Sequence, residues 1–392
     1  MPTRTAVVPA IALLSLASGL ALAGPINPPP GPVTSTNKTL AEVEPRTAIN
    51  AVNTPGDADS VFRITQPGSY YLTGNLSGVS GKSGIEIAAS GVTIDLGGFM
   101  LTGVSGAPNA VVVSGAGLHD IAIFNGVASA WDLSAIDTFS ATHCRVEAFR
   151  GSTNGGAAVR VGAQSLVRGC TATLNASAGI STQASCVVED CVSGANVGQG
   201  ISAQANCVVA RCSVEGAGSN IGIDASNGST ITACSATGFG TGIQVAGDCT
   251  VTACTSRSNT SFGVFTGLGC TVSGCTIGNN GGDGIRVNSG CTISGNSLRA
   301  NGATAVGAGV HATGADNRIE GNNCTSADIG IDVDAAGNFI ARNTCSGNTT
   351  NNWDVVAGNV CLVVNAATAP AITGTAGGTA PGSTDPNANF TY

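Results

Sequence analysis

The chain reads GISTQASCVVEDC at residues 179–191 and GISAQANCVVARC at 200–212. It then repeats this outline as GIDASNGSTITAC at 222–234, GIQVAGDCTVTAC at 242–254, GVFTGLGCTVSGC at 263–275 and GIRVNSGCTISGN at 284–296. Further copies open with GVHAT at 309 and GIDVD at 330, so successive starts lie 20 to 25 residues apart and most often 21. Each copy holds two short runs in which apolar and polar residues alternate, separated by glycine, asparagine and serine. Period-two alternation bounded by such residues is the pattern of strands joined by turns. Helical repeats such as TPR, ankyrin and HEAT have longer units with a 3.6-residue periodicity, so they are excluded.

Weaker copies extend back through Ala158, Ala135, Ala110 and Gly84 and forward to Asn352, for about thirteen rungs. The expected fold is all-β: a single-stranded right-handed parallel β-helix, a solenoid with an N-terminal cap. At a strand separation of about 4.8 Å, thirteen rungs make a rod on the order of 60 Å long. Ile180, Ile201, Ile223, Ile243, Val264, Ile285, Val310 and Ile331 fall into one inward column. Val188, Val209, Ile231, Val251, Val272, Ile293, Ile319 and Ile340 form a second. The shorter hexapeptide period of a left-handed β-helix is absent.

Composition agrees with a stacked core of small residues. Of 392 residues 57 are glycine, 10% are charged and 4% are aromatic, while 42% are hydrophobic. That balance excludes intrinsic disorder, which needs low hydrophobicity and high charge. A formal net charge of -8 excludes a nucleic-acid partner of the usual basic kind.

Four segments follow from the pattern. Residues 1–23 read as a secretory signal, with Arg4, an apolar stretch from Ala6 to Leu20 and a small-x-small site at Ala21-Leu22-Ala23. Residues 24–83 combine a proline-rich linker with a cap. The cap includes a capping box at Thr39-Leu40-Ala41-Glu42 and a strand, turn, strand signal from Val61 to Leu72. Residues 84–364 are the solenoid, and 365–392 are a tail whose closing Phe390-Thr391-Tyr392 either docks on the rod or serves as a signal. No apolar run after the leader reaches the roughly 18 residues of a membrane span, so an exported monomer is expected.

Cysteine recurs in two columns. One runs Cys170, Cys191, Cys212, Cys234, Cys254 and Cys275 and continues as Asn296, Asn322 and Asn343. The other runs Cys186, Cys207, Ser229, Cys249, Cys270 and Cys291 and continues as Asn317 and Asn338. A tetrahedral zinc site needs four converging ligands, and these residues form lines. Vertical disulfides have suitable spacing, but in-register stacking points both Cβ atoms the same way and the count of 15 is odd. Buried thiols are the favoured reading.

Taken together these repeats resemble the right-handed parallel β-helix superfamily, with coils similar to the NosD-type and pectate-lyase-like families, over about residues 84–364. The resemblance implies the fold, and asparagine ladders at an inward turn whose slot cysteine fills here. Because the superfamily contains lyases, hydrolases, epimerases, adhesins and binding scaffolds, it implies no single activity. The lysines, Lys38 and Lys82, lie outside the main array and no Arg-x-Lys element is present, both departures from pectin-acting relatives.

The outward position after each aliphatic residue is bland until its last four members, Arg286, His311, Asp332 and Asp354, with Asp334 further along the strand of Asp332. Such a histidine between arginine and carboxylates is the constellation for acid/base chemistry on a glycan, or for holding a cation. It is equally the polar face that a solvated strand requires. A Thr-x-Thr face at Thr230, Thr250, Thr271 and Thr292 resembles that of ice-binding solenoids, but Glu189, Ala210, Arg318 and Glu320 interrupt it. His119 and His143 are read as ordinary turn or surface residues. The favoured function is an exported scaffold or a glycan- or cell-surface-binding module without a cofactor. The alternatives are a polysaccharide lyase or hydrolase using the four charged residues, and a NosD-like cation-binding periplasmic accessory protein.

Overall fold

One turn shows how this sequence builds the rest. Ile180–Thr182 forms a strand, here called A, Val187–Glu189 forms B and Val192–Gly194 forms C. At each corner sits a residue in the left-handed region, Ser185 (φ 60°), Asp190 (φ 56°) and Ala195 (φ 51°). The reversal turns the next side chain inward, which places Cys186, Cys191 and Asn196 at the three inner corners. A left-handed L-residue costs about 1 kcal/mol, and glycine relieves this at Gly274, at the position of Asp190 four turns on.

The computed structural model describes residues 43–216, 218–304, 306–365 and 384–392. The expected leader, the proline-rich run and the capping box lie outside the described residues. Within the unit Arg46–Tyr392, fourteen A strands from Ser60–Ile64 to Asn351–Val355 form one sheet, and the B and C strands together form a second sheet of 28 strands. Pairing is parallel and in register down the rod: Ile180 faces Ile201, then Ile223, Ile243, Val264, Ile285, Val310 and Ile331. Both aliphatic columns are buried. Stacking like on like lets flat β-branched side chains fill the narrow interior with few aromatics. No helix among the described residues is long and apolar enough to cross a membrane.

The N-terminal end differs from the expected cap, and the closing residues take the docked alternative. The strands expected between 61 and 72 do not fold onto each other. Ser60–Ile64 pairs in parallel with Ser83–Ile87, and Gly68–Leu72 with Val92–Asp95. They are a complete A and B pair, which supplies the rung beyond the thirteen expected. Thr47–Ile49 pairs with Tyr70–Leu72 below them. At the other end Asn389–Thr391 returns to the rod as a parallel strand on Thr344–Cys345, and Trp353 Nε1 donates to Thr391 Oγ1 at 2.7 Å. The intervening tail from 366 to 383 lies outside the described residues.

All fifteen cysteines are thiols, fourteen of them buried and Cys361 half-buried. Their role is visible in the hydrogen bonds. Cys186 N–H donates to Cys207 Sγ at 3.4 Å, while the Cys186 thiol donates to the Gly162 carbonyl at 3.2 Å. Further along the same column, Asn317 N–H donates to Asn338 Oδ1 at 2.8 Å. Cysteine therefore fills the asparagine slot, accepting from one rung and donating to another.

Candidate functional site

The A strands carry Arg286, His311, Asp332 and Asp354 in direct register on consecutive turns. Alternation within each strand sends the flanking residues, such as Val310 and Ala312, into the core and these four outward. Three of them, Arg286, His311 and Asp332, line one cleft of about 420 Å³ together with Phe262 and Asp283. Asp354 does not line it and is exposed.

His311 is the organising group. Its Nδ1 lies 2.9 Å from Asp283 Oδ2, and its Nε2 lies 3.0 Å from Asp334 Oδ2 and 3.7 Å from Asp332 Oδ2. Burial pulls the imidazole pKa down, but the bonds to Asp283 and Asp334 and the charge of Asp332 outweigh it, and it is pushed up to about 9. At neutral pH His311 is therefore a clamped imidazolium. With both nitrogens engaged it orders the carboxylates around it and is poorly placed to act as a free base. Burial raises the Asp332 carboxyl above the ordinary carboxylate range, helped by Asp334 and Asp354 and opposed by His311. Asp332 is the group in the cleft best suited to exchange a proton.

Asp283 was not among the residues expected from the sequence. It precedes Gly284 in the repeat, a position held elsewhere by Ala178, Gln199, Ile221, Thr241, Phe262, Ala308 and Ile329, and it is the only acid in that series. It is buried to 4% exposure, and its other oxygen accepts from Ala308 N–H at 2.8 Å. Arg286 Nη1 stands 3.6 Å from it. A second available signal was the lengthened copy between 284 and 309, since residues of its extra turn, Val306 and Gly307, form part of the cleft wall. The opposite wall is aromatic: Phe262 stacks on Phe265 with centroids 5.6 Å apart, and the Arg286 guanidinium lies 5.4 Å from the Phe262 ring centre.

Two family models match this chain. One, described as the periplasmic copper-binding protein NosD, covers residues 187–362, and the other, described as the right-handed β-helix region, covers 75–230. The chain belongs to the right-handed parallel β-helix superfamily. Among solved structures, this β-helix is similar to the A-module of a mannuronan C-5 epimerase from Azotobacter vinelandii, at 15% identity and a TM-score of 0.52, over 75% of this chain and 91% of that one. It is also similar to the tailspike protein of an E. coli bacteriophage in complex with a pentasaccharide, at 13% identity and a TM-score of 0.50, over 72% of this chain and 61% of the tailspike. At these identities the likeness is one of fold. No curated protein sequence matches the chain.

The geometry also bears on cations. Ligand atoms of His311, Asp332 and Asp334 lie within 4.8 Å of one another. Asp57, Asp59 and Glu86 form a similar group near the first turn, where Arg63 pairs with Asp57 at 2.9 Å and with Glu86 at 3.3 Å.

Proposed function

We propose that this is an exported β-helix protein that binds a glycan chain in the cleft of Phe262, Arg286, His311 and Asp332 and acts on it by acid/base chemistry. The carrying observation is that the charged column does not lie spread and solvated. Three of its members meet in one cleft, and a buried carboxylate, Asp283, fixes the histidine among them. The Phe262 ring offers a flat apolar face to a sugar ring and Arg286 offers a fork of donors to its oxygens. Asp332, with its raised pKa beside an imidazolium, supplies the proton-exchanging group. The printed descriptions of the fold relatives, an epimerase of mannuronan and a tailspike with a pentasaccharide, support a carbohydrate ligand. Export is supported by the N-terminal reading and by the periplasmic family model.

The test is a glycan-array screen run with reducing-end and unsaturated-product assays on the same polysaccharides, using the wild type, Asp332→Asn and Arg286→Ala. Asp332→Asn should retain binding and lose product release, and Arg286→Ala should weaken binding. A wild type that neither binds a glycan nor releases product sinks the reading.

A second reading, a cation site, is favoured by the proximity of His311, Asp332 and Asp334. One imidazole nitrogen and two carboxylates suit a divalent ion such as Cu(II) or Zn(II), whereas soft Cu(I) prefers sulfur. The thiols here are interior and hydrogen-bonded. Equilibrium dialysis against each ion, with Asp334→Asn as the control, decides it.

A further inference from the structure

A second cleft of about 240 Å³ lies on the C strands, away from the A face. Register places Thr255, Thr276 and Ser297 in one outward row, and Arg257, Gly278 and Arg299 in the next. All six line the cleft, and no carboxylate does. The two arginines stand two rungs apart, about 10 Å between Cα atoms at ordinary strand spacing. Gly278 between them carries no side chain, where a Cβ would press on the Arg299 carbonyl oxygen at 2.7 Å, so two guanidinium-bearing side chains and a row of hydroxyls bound the cleft.

Charge pairing elsewhere makes this arrangement unusual for the molecule. Of the twelve arginines in the described residues, nine form ion pairs with carboxylates. The others are Arg150, Arg257 and Arg299, and two of these three face one cleft. On a chain with net charge -8, two unpaired guanidinium groups held over the same space form a local positive field without an internal partner. Guanidinium groups bind planar or tetrahedral oxyanions through paired N–H donors, and neighbouring hydroxyls supply further donors.

We propose that Arg257 and Arg299, with Thr255, Thr276 and Ser297, form a binding site for an oxyanion carried on a glycan, a uronate carboxylate or a sulfate ester. The site recognises charge, whereas the A-face cleft, where Asp283 and Asp332 stand beside Arg286 and His311 and Asp334 bonds to the histidine, presents no net positive field. It extends the glycan reading to an acidic class of chain without depending on the chemistry of Asp332.

The test measures binding of full-length protein to a uronate oligosaccharide, a sulfated oligosaccharide, a neutral oligosaccharide, and free sulfate and phosphate, by calorimetry at low and high salt. The wild type, Arg257→Ala/Arg299→Ala, Arg150→Ala and Asp332→Asn are compared, and thermal melts check that the exposed arginines leave folding intact. The expected result is binding of an acidic oligosaccharide that weakens with salt, falls at least about tenfold in the double variant and persists in Arg150→Ala and Asp332→Asn. The carboxylated and sulfated arms tell which oxyanion is preferred. The proposal is overturned if the double variant binds as the wild type does, if the neutral oligosaccharide binds equally well, if free phosphate or sulfate alone binds, or if no anion binds at all. Loss of turnover in Asp332→Asn with anion binding intact would separate this site from the A-face cleft.

Discussion

Two stretches of the rod solve the same corner problem with different chemistry. From Cys170 to Cys291 the inner corners before strands B and C are mostly thiols, and from Asn296 to Asn389 they are mostly amides. Both accept a backbone N–H from the preceding turn, but the amide ladder adds side-chain to side-chain bonds. Asn322 Nδ2 donates to Asn343 Oδ1 at 3.0 Å, and Asn343 Nδ2 donates to Asn389 Oδ1 at 2.9 Å. A thiol donates weakly and has one hydrogen to give, so its column is closer to an apolar stack. The change from thiol to amide falls in the turns that carry Asp283, Arg286 and His311. The lesson is that a solenoid slot selects for size and inward direction first, and that polarity there sets how strongly successive turns are tied.

The largest effect should separate the two stretches directly. Asn322→Ala removes the acceptor for Asn296 N–H, one of the two acceptors of Asn296 Nδ2, and the side-chain donor to the Ile293 carbonyl. Buried orphans of this kind cost about 3–5 kcal/mol in total. Cys212→Ala removes a thiol whose single hydrogen has the Ala210 carbonyl at 3.3 Å and the Val188 carbonyl at 3.6 Å as its acceptors, and should cost about 1–2 kcal/mol. Urea unfolding measures both, and equal losses would mean that the amide bonds add nothing to the stack.

Next in size is the pH dependence of the charged cleft. His311 faces Asp283, Asp332 and Asp334, with Arg286 beside Asp283. Its pKa is raised from 6.5 unfolded to about 9 folded, so the folded state binds the proton more tightly. The resulting stability is fully present below about pH 6.5 and is lost as pH rises through about 9, up to about 3 kcal/mol. Asp283→Asn should flatten that slope. A wild-type melting temperature that does not fall across this window more steeply than that of the variant would contradict the clamped imidazolium.

The smallest effect tests the equivalence of the slot itself. Cys275 N–H already donates to Asn296 Oδ1 at 2.9 Å, so Cys275 is the thiol bordering the amide run. Cys275→Asn lengthens the amide ladder by one turn with little change in volume, and stability should move by less than about 1 kcal/mol. A loss of several kcal/mol would show that each stretch is tuned to its own corner chemistry.

Much of the fold was legible because its unit recurs. Ile180 and its counterparts occupy the same place in copy after copy, so the inward columns follow from alignment of the chain with itself. The ends were harder to read. Val61-Phe62-Arg63-Ile64 and Tyr70-Tyr71-Leu72 look like a hairpin in isolation, and only their pairing with Ile85 and Ile94 makes them a turn of the solenoid. The site was legible in part. Arg286, His311 and Asp332 stood out in the outward column, whereas Asp283 sits in a corner position and gains its meaning from contact with a residue 28 places away.

By itself the sequence determined the repeat length, the strand alternation, the two inward aliphatic columns and the thiol and amide lines, because these depend on local period and on stacking of equivalent positions. Only the tertiary structure decided which charged side chains share a cleft. Parallel stacking brings residues some 21 to 28 positions apart within hydrogen-bond reach, and the corner geometry sets whether each points into the core, into solvent or across to its neighbour. That is why Asp283 joined His311, why Asp354 stayed apart, and why Arg257 and Arg299 face each other across Gly278.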